Sequence, residues 1–338
     1  MTRKCSGCGA TLQSKDKDKI GYIREEKEDT ASLCERCFKI TNYGDFKVVD
    51  TDGEEYVQIY KDINKTNDLV LYLVDIFNIN SSIDMINKYI NNNIILVVTK
   101  YDIIPKSVKE NKIISKIKEY NFNNNIIDVV IISSKTNYNI DMLYNKINEY
   151  KTSKNVYVAG NTNAGKSTLI NKLLTNYSEN DAVLTTSILP STTINTNEIK
   201  INDDLILLDT PGFIEKDNIS NFVSPKELKK IMPNREIRPI TYQIEEGKTL
   251  LIEPYLRIEY VKGEKNSFTF YLSNDIIISR INTITNNRGK ELSLKELDVK
   301  EGEDVVVNGL CFIKITKAAK LNIYVKEEVG IYKRKSLI

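Results

Sequence analysis

Near the middle of the chain, Val156–Lys172 reads VYVAGNTNAGKSTLINK, an apolar strand that runs through the pattern GxxxxGK[ST] into an amphipathic helix. Few short patterns restrict a fold so strongly. The loop binds phosphate only when it joins the end of a buried strand to the N-terminus of a helix. Gly160 and Gly165 let the backbone curl, so that the N–H groups of Asn161, Asn163, Ala164 and their neighbours converge on phosphate oxygens. Lys166 reaches toward the β- and γ-phosphates, Ser167 is placed to ligate Mg²⁺, and Thr168 completes the loop. By itself the loop does not choose between ATP and GTP.

The flanking periodicity agrees with that context. LVLYLVDI (69–76), NIILVVTK (93–100), IIDVVIIS (126–133) and NVYVAG (155–160) are short, nearly continuous apolar runs, as expected of strands buried on both faces of a parallel sheet. Helical patterns such as SVKENKIISKIKEYN and NIDMLYNKINEYK lie between them, which predicts a doubly wound α/β layer. Downstream, LILLDTPGF ends a further strand with Asp209, placed to hold Mg²⁺ through water, and Gly212, whose amide can meet a γ-phosphate. The polar segment TTSILPSTTINT offers Thr192 and Thr193 to close over the metal, and Thr193 is the favoured one. Lys166, Thr193 and Gly212 are therefore candidate catalytic residues, and the spacing is that of a nucleotide switch.

Base choice rests on TKYD (Thr99, Lys100, Tyr101, Asp102). A carboxylate at a strand end accepts two hydrogen bonds from guanine N1–H and N2–H₂; adenine has neither donor on that edge and would leave the charge unpaired. Lys100 can lie across the ring, and Ser133, Ser134 and Lys135 can offer a backbone N–H to guanine O6. Together these motifs predict GTP.

What is absent excludes other chemistry. The chain has no histidine, so no imidazole base, Ser-His or Cys-His pair, or histidine metal ligand is available. Net charge is only +2 on 48 basic and 46 acidic residues, so any nucleic-acid face must be local. No apolar run approaches the length of a membrane span, and MTRKCSGCGA carries no leader pattern, which predicts a cytoplasmic protein with no membrane partner. The runs Asn91–Asn93 and Asn123–Asn125 read as compositional drift in surface loops.

Four of the five cysteines form two CxxC pairs, Cys5/Cys8 and Cys34/Cys37, with 25 residues between them. Two such knuckles complete a tetrahedral sulfur shell for Zn²⁺, although thiolates alone also admit a rubredoxin-like iron. A segment this short folds only with its metal, and a closed shell leaves no position for substrate. Cys311 reads as a small apolar residue on a strand.

The guanine motifs precede the phosphate loop, the reverse of the usual order. Moving the chain break of the same sheet explains this, with KTSK (151–154) joining the ordinary last helix to the ordinary first strand. In this arrangement, with CxGC and CxRC knuckles followed by VDIFN, TKYD, SSK, GNTNAGKST, PSTT and DTPGF, the chain resembles the circularly permuted GTPases of the YqeH type, which assist assembly of the small ribosomal subunit. It departs from them in Ser191, where glycine is usual, and in Asn78, where aspartate is common. The resemblance implies hydrolysis of GTP with Mg²⁺, ribosomal RNA or the small subunit as partner, and no role for DNA. Asn163 matches the asparagine with which potassium-activated GTPases help to hold K⁺, which adds it to the candidate catalytic residues; the alternative is that it merely tolerates a left-handed loop. Phe213 stands where Ras-like enzymes carry the glutamine that orients the attacking water, which predicts slow intrinsic hydrolysis.

The expected organisation is a zinc module (1–50), a permuted P-loop GTPase domain (51–222) and a β-rich C-terminal domain (223–338). The segment IEKDNISNFVSPKELKK, read as flexible, runs from DTPGF into the last of these, so a γ-phosphate that orders Gly212 can reposition it. From Pro225 onward there are 21 basic and 16 acidic residues, a local +5. Arg257, Tyr260, Lys262, Phe268, Tyr271 and Arg280 interleave charge with aromatic rings as an RNA face would, while Lys333–Lys335 reads as a solvated tail. The alternative function is a guanine-nucleotide switch that binds a protein effector without RNA.

Overall fold

The computed structural model describes residues 12–15, 22–27, 30–31, 53–79, 89–120, 125–178, 197–210, 212, 215–283 and 288–338, with the backbone alone at 53–57. Cys5, Cys8, Cys34, Cys37, Ser191, Thr192, Thr193 and Phe213 lie outside the described residues.

Helix α1 (Gly53–Ile63) leads into β1 (Leu69–Asp75), whose residues Leu69 to Val74 are all buried, as a continuous apolar run requires. Strand β2 (Ile94–Thr99), helix α2 (Glu110–Lys118), strand β3 (Ile126–Ile131) and helix α3 (Ile140–Tyr150) follow. The helices bury one stripe each: Ile113 and Ile117 on α2, and Ile140, Leu143 and Ile147 on α3. Then come β4 (Asn155–Gly160), α4 (Lys166–Tyr177), β5 (Asn197–Asn202) and β6 (Leu205–Asp209). The six strands form one sheet in the order β3-β2-β1-β4-β6-β5. Strands β1 and β4 pair in parallel, as do β4 and β6, and β5 is antiparallel to β6. The strand that feeds the phosphate loop therefore sits inside the sheet, beside the strand that opens it. Cutting the chain between α3 and β4 and joining it elsewhere leaves every strand's neighbours unchanged, which is circular permutation stated as topology.

The run Asn91–Asn93 is more than drift. Asn92 is buried, and its amide donates to the carbonyls of Thr66 and Asp68 (2.9 and 3.0 Å), tying the turn between α1 and β1 to the entry of β2. The neighbouring Asn91 N–H donates to Asn64 Oδ1.

Beyond helix α5 (Pro225–Ile231), started by a Ser224/Glu227 capping box, the chain is all β. One five-stranded sheet has the order β16-β13-β14-β10-β7, with β7 at Ile240–Ile244, β10 at Asn266–Leu272, β13 at Glu303–Val307, β14 at Cys311–Ile315 and β16 at Ile331–Lys335. The other has the order β11-β8-β9-β15-β12, with β8 at Lys248–Ile252, β9 at Leu256–Lys262, β11 at Ser279–Asn282, β12 at Ser293–Val299 and β15 at Ala319–Val325. A single core draws on both sheets, including Ile258, Tyr260, Phe268, Phe270, Ile313 and Ile323. Cys311 packs in it as a free buried thiol, and burial pushes its pKa up to about 12.

Two expectations change here. Arg257, Tyr260, Phe268 and Tyr271 are buried, so they form no exposed stacking face; only Lys262 and Arg280 of the six are exposed. Nor is Lys333–Lys335 a solvated tail. It lies in strand β16, with Arg334 buried opposite Asp304 of β13 and its guanidinium 4.6 Å from the Phe312 ring.

The chain divides into two compact units, one of Met1–Leu73, Lys88–Leu96 and Ile140–Ile214, the other of Val74–Asn87, Val97–Asn139 and Glu215–Ile338. Within the second, the segment read as flexible is held. Asn308 Nδ2 donates to Asp217 Oδ1 (2.9 Å), Asn218 Nδ2 to Asn308 Oδ1 (3.1 Å), Ile219 N to Asn308 O (3.0 Å) and Gly330 N to Asp217 O (2.9 Å). Gly309 and Gly330 are needed for this approach, since a Cβ on either would run into Asn218 or Asp217.

Candidate nucleotide site

In the first unit the phosphate loop follows β4 as its sequence requires. Gly160 has φ +137°, and a Cβ there would strike the backbone of Leu73, its register partner on β1. Asn163 (φ 63°) and Gly165 (φ 91°) take the left-handed conformations that turn the loop into α4. Ala164 N donates to Asn161 O, and the buried Asn161 accepts from Tyr72 OH at 3.5 Å. Lys166 Nζ lies over the loop, donating to Gly160 O (3.0 Å) and Asn161 O (3.1 Å). Ser167 and Thr168 are exposed in the first turn of α4.

Two residues from the end of β6 join this cluster. Asp209 Oδ1 is buried and has no hydrogen-bond partner among the described residues. Burial raises the Asp209 pKa to about 6 against the pull of Lys166, and burial lowers that of Lys166 to about 8 against the pull of Asp209. A desolvated cation and a desolvated anion that feel one another's charge, with an orphaned carboxylate oxygen, are what Mg²⁺ and polyphosphate would relieve. Ser167 and Asp209 thus fit a magnesium ion bound with nucleotide. Gly212 lies against the loop: a Cβ on it would be 2.6 Å from the mobile tip of Lys166 and 3.1 Å from Thr162 N, so a larger residue would crowd this approach.

In the second unit the base motifs assemble separately. Asp102 Oδ1 accepts from Ser133 Oγ (2.7 Å), and Lys135 Nζ stands 4.0 Å from Asp102 Oδ2. Thr99 Oγ1 donates to Val74 O, and Tyr101 N to Ile132 O, stitching TKYD to its neighbours. The loop carrying Ser133 and the half-buried Ser134 is braced by a Ser133–Tyr138 bridge, by Asn139 Nδ2 donating to Ile131 O (2.9 Å), and by Tyr138 packing on Tyr101. Lys135 Nζ also donates to Asn234 O, outside the sequence motifs. One charged residue escaped sequence reasoning: Asp75, within VDIFN, whose carboxylate accepts from Lys100 Nζ at 2.6 Å. Nothing in its spacing from TKYD, 25 residues along the chain, signals that contact.

Comparison with known proteins gives the assembly its place. Over 363 aligned residues the chain is 32% identical to the Bacillus subtilis protein named "Uncharacterized protein YqeH", covering 99% of each. The chain belongs to the YqeH family. It is thus a circularly permuted GTPase of the YqeH type and hydrolyses GTP to GDP and phosphate. A family model described as "50S ribosome-binding GTPase" matches residues 155–253. The chain is also 28% identical over 305 residues to the Arabidopsis thaliana "NO-associated protein 1, chloroplastic/mitochondrial", covering 79% of this YqeH-family chain and about half (52%) of the plant protein. A crystal structure of YjeQ from Thermotoga maritima is similar with a TM-score of 0.29 and 21% identity, over 44% of this chain and 49% of that one. No helix among the described residues is long and apolar enough to cross a membrane.

Proposed function

We propose that the nucleotide bound is GTP, with its phosphates taken by residues 160–168 with Asp209 and Gly212 and its guanine read by Asp102 with Lys100 and residues 133–135. The observation that carries this reading is the meeting of Lys166 with Asp209 and Gly212, which come from a later segment, at the phosphate loop. The backbone N–H groups and Lys166 take up the charge that develops on the transferred phosphoryl group, and Gly212 senses the γ-phosphate. Magnesium, held by Ser167, Asp209 and Thr193, supplies further charge neutralisation when bound. Phe213 cannot polarise water, so unaided turnover is slow. By analogy of motif, Asn163 contributes to a potassium site beside the phosphates; its left-handed φ of 63° is equally what the alternative requires, a residue that only tolerates the turn. Equal turnover in K⁺ and Na⁺ would sink that part.

The cellular role in this proposal is assembly of the small ribosomal subunit in the cytoplasm, with segments 1–50, 51–222 and 223–338 serving as zinc module, GTPase domain and ribosome-binding domain. The zinc is held by Cys5, Cys8, Cys34 and Cys37. Burial of Arg257, Tyr260, Phe268 and Tyr271 removes the stacking face that favoured RNA and supports a second reading, a nucleotide switch that grips a protein effector. Co-sedimentation with small subunits in GTP-analogue and GDP states at two salt concentrations separates the two. RNA attachment weakens steeply with salt, whereas an effector held by protein contacts leaves no subunit association at either concentration. Pelleting only with large subunits would overturn the small-subunit assignment.

A further inference from the structure

We infer that Asp75 is a positioning residue for guanine-nucleotide binding: it holds the Lys100 ammonium so that the lysine stem is laid out beneath the purine. This rests on the assignment of Lys100 and Asp102 to the base site.

The geometry is specific. Lys100 has φ 62°, a left-handed conformation rare for a residue with a side chain, at the start of the short helical turn Tyr101–Ile103. Its side chain leaves that point toward β1 and ends on Asp75 Oδ2 at 2.6 Å, with both side chains largely shielded (26% and 14% exposed). An unrestrained lysine stem samples many rotamers and loses them when a ligand packs on it. A lysine already tied down at its tip has lost them beforehand. The carboxylate is itself fixed: its second oxygen, Oδ1, accepts from Phe77 N (2.9 Å) and caps the turn Ile76–Asn78. That turn is anchored in the C-terminal sheets, where Phe77 lies edge-on to Phe312 (5.6 Å) and Asn78 Oδ1 accepts from Gly309 N (3.3 Å). The base lysine is therefore oriented, through Asp75, by strands more than 200 residues away in sequence.

Asp75→Asn is isosteric and keeps an oxygen for Phe77 N, so the fold should survive. Affinities of the full chain for GTP, ITP, XTP and tripolyphosphate, by calorimetry, provide the test. Asp75→Asn should weaken GTP, ITP and XTP by one common factor, roughly tenfold for the lost preorganisation, and leave tripolyphosphate unchanged. Lys100→Met should do the same, and the double variant should be no worse than Lys100→Met alone. Asp102→Asn should instead shift preference from GTP toward XTP. If Asp102→Asn shifts nothing, the base-site assignment fails. If it does while Asp75→Asn leaves the nucleotides untouched, weakens tripolyphosphate equally, or adds to Lys100→Met, the inference about Asp75 fails by itself.

Discussion

At the scale of single residues, the most telling pair is Lys166 and Asp209. Their charges partly compensate, yet burial dominates both, leaving the lysine near 8 and the aspartate near 6. Polyphosphate binds the ammonium form, so above about pH 8 the free protein must take up a proton at Lys166 before nucleotide can bind. Affinity for GDP in metal-free buffer should be level only between about pH 6 and 8, where Asp209 is ionised and Lys166 protonated, and should fall above pH 8 by up to about tenfold per pH unit. Calorimetry at pH 9 in two buffers of different ionisation enthalpy should report the proton uptake; identical heats would contradict it. Gly160, Asn163 and Gly165 were legible as loop-formers because the motif itself demands unusual backbone angles. Asp75 was not, because an ion pair between strand ends has no sequence period.

At the scale of elements, period and burial agreed wherever the chain ran continuously apolar or amphipathic. Strands β1, β2 and β4 and helices α2 and α3 were all visible as patterns. The misreadings occur where charge sits inside. Strand β16 carries KRK, whose alternation places Arg334 inward while Lys335 stays exposed. Arg334 Nε is 3.7 Å from Asp304 Oδ2, and none of its guanidinium nitrogens has a hydrogen bond among the described residues. Such a pair is poorly solvated and badly satisfied, so breaking it should be costly and replacing it should not. Asp304→Asn should destabilise the protein by about 3 kcal/mol in urea unfolding, while Asp304→Leu with Arg334→Met should be close to neutral. A double variant as unstable as the single one would show that the pair contributes net stability.

At the scale of the whole molecule, the C-terminal sheets do more than follow the GTPase sequence. Their turn at Asn308–Gly309 holds both Asp217–Ile219, downstream of Gly212, and Asn78, downstream of Asp75. A γ-phosphate that draws on Gly212 should therefore be felt at that turn. Hydrogen exchange in GTP-analogue and GDP states should show the amides of Ile219 and Asn308 changing protection together. A change confined to residues 215–221, with Asn308 unmoved, would mean that the turn is only scaffolding.

The sequence alone determined the permuted order of motifs, the parallel sheet and the choice of GTP. Each of these depends on local patterns: a strand's apolar run, a loop's glycines, a carboxylate at a strand end. Tertiary structure alone decided that four residues of a supposed RNA face are buried, that the segment after DTPGF is held by two glycine turns, and that Asp75 grips Lys100. Which side of a strand faces inward, and which distant side chains meet, is set when sheets pack, and packing depends on residues far apart along the chain.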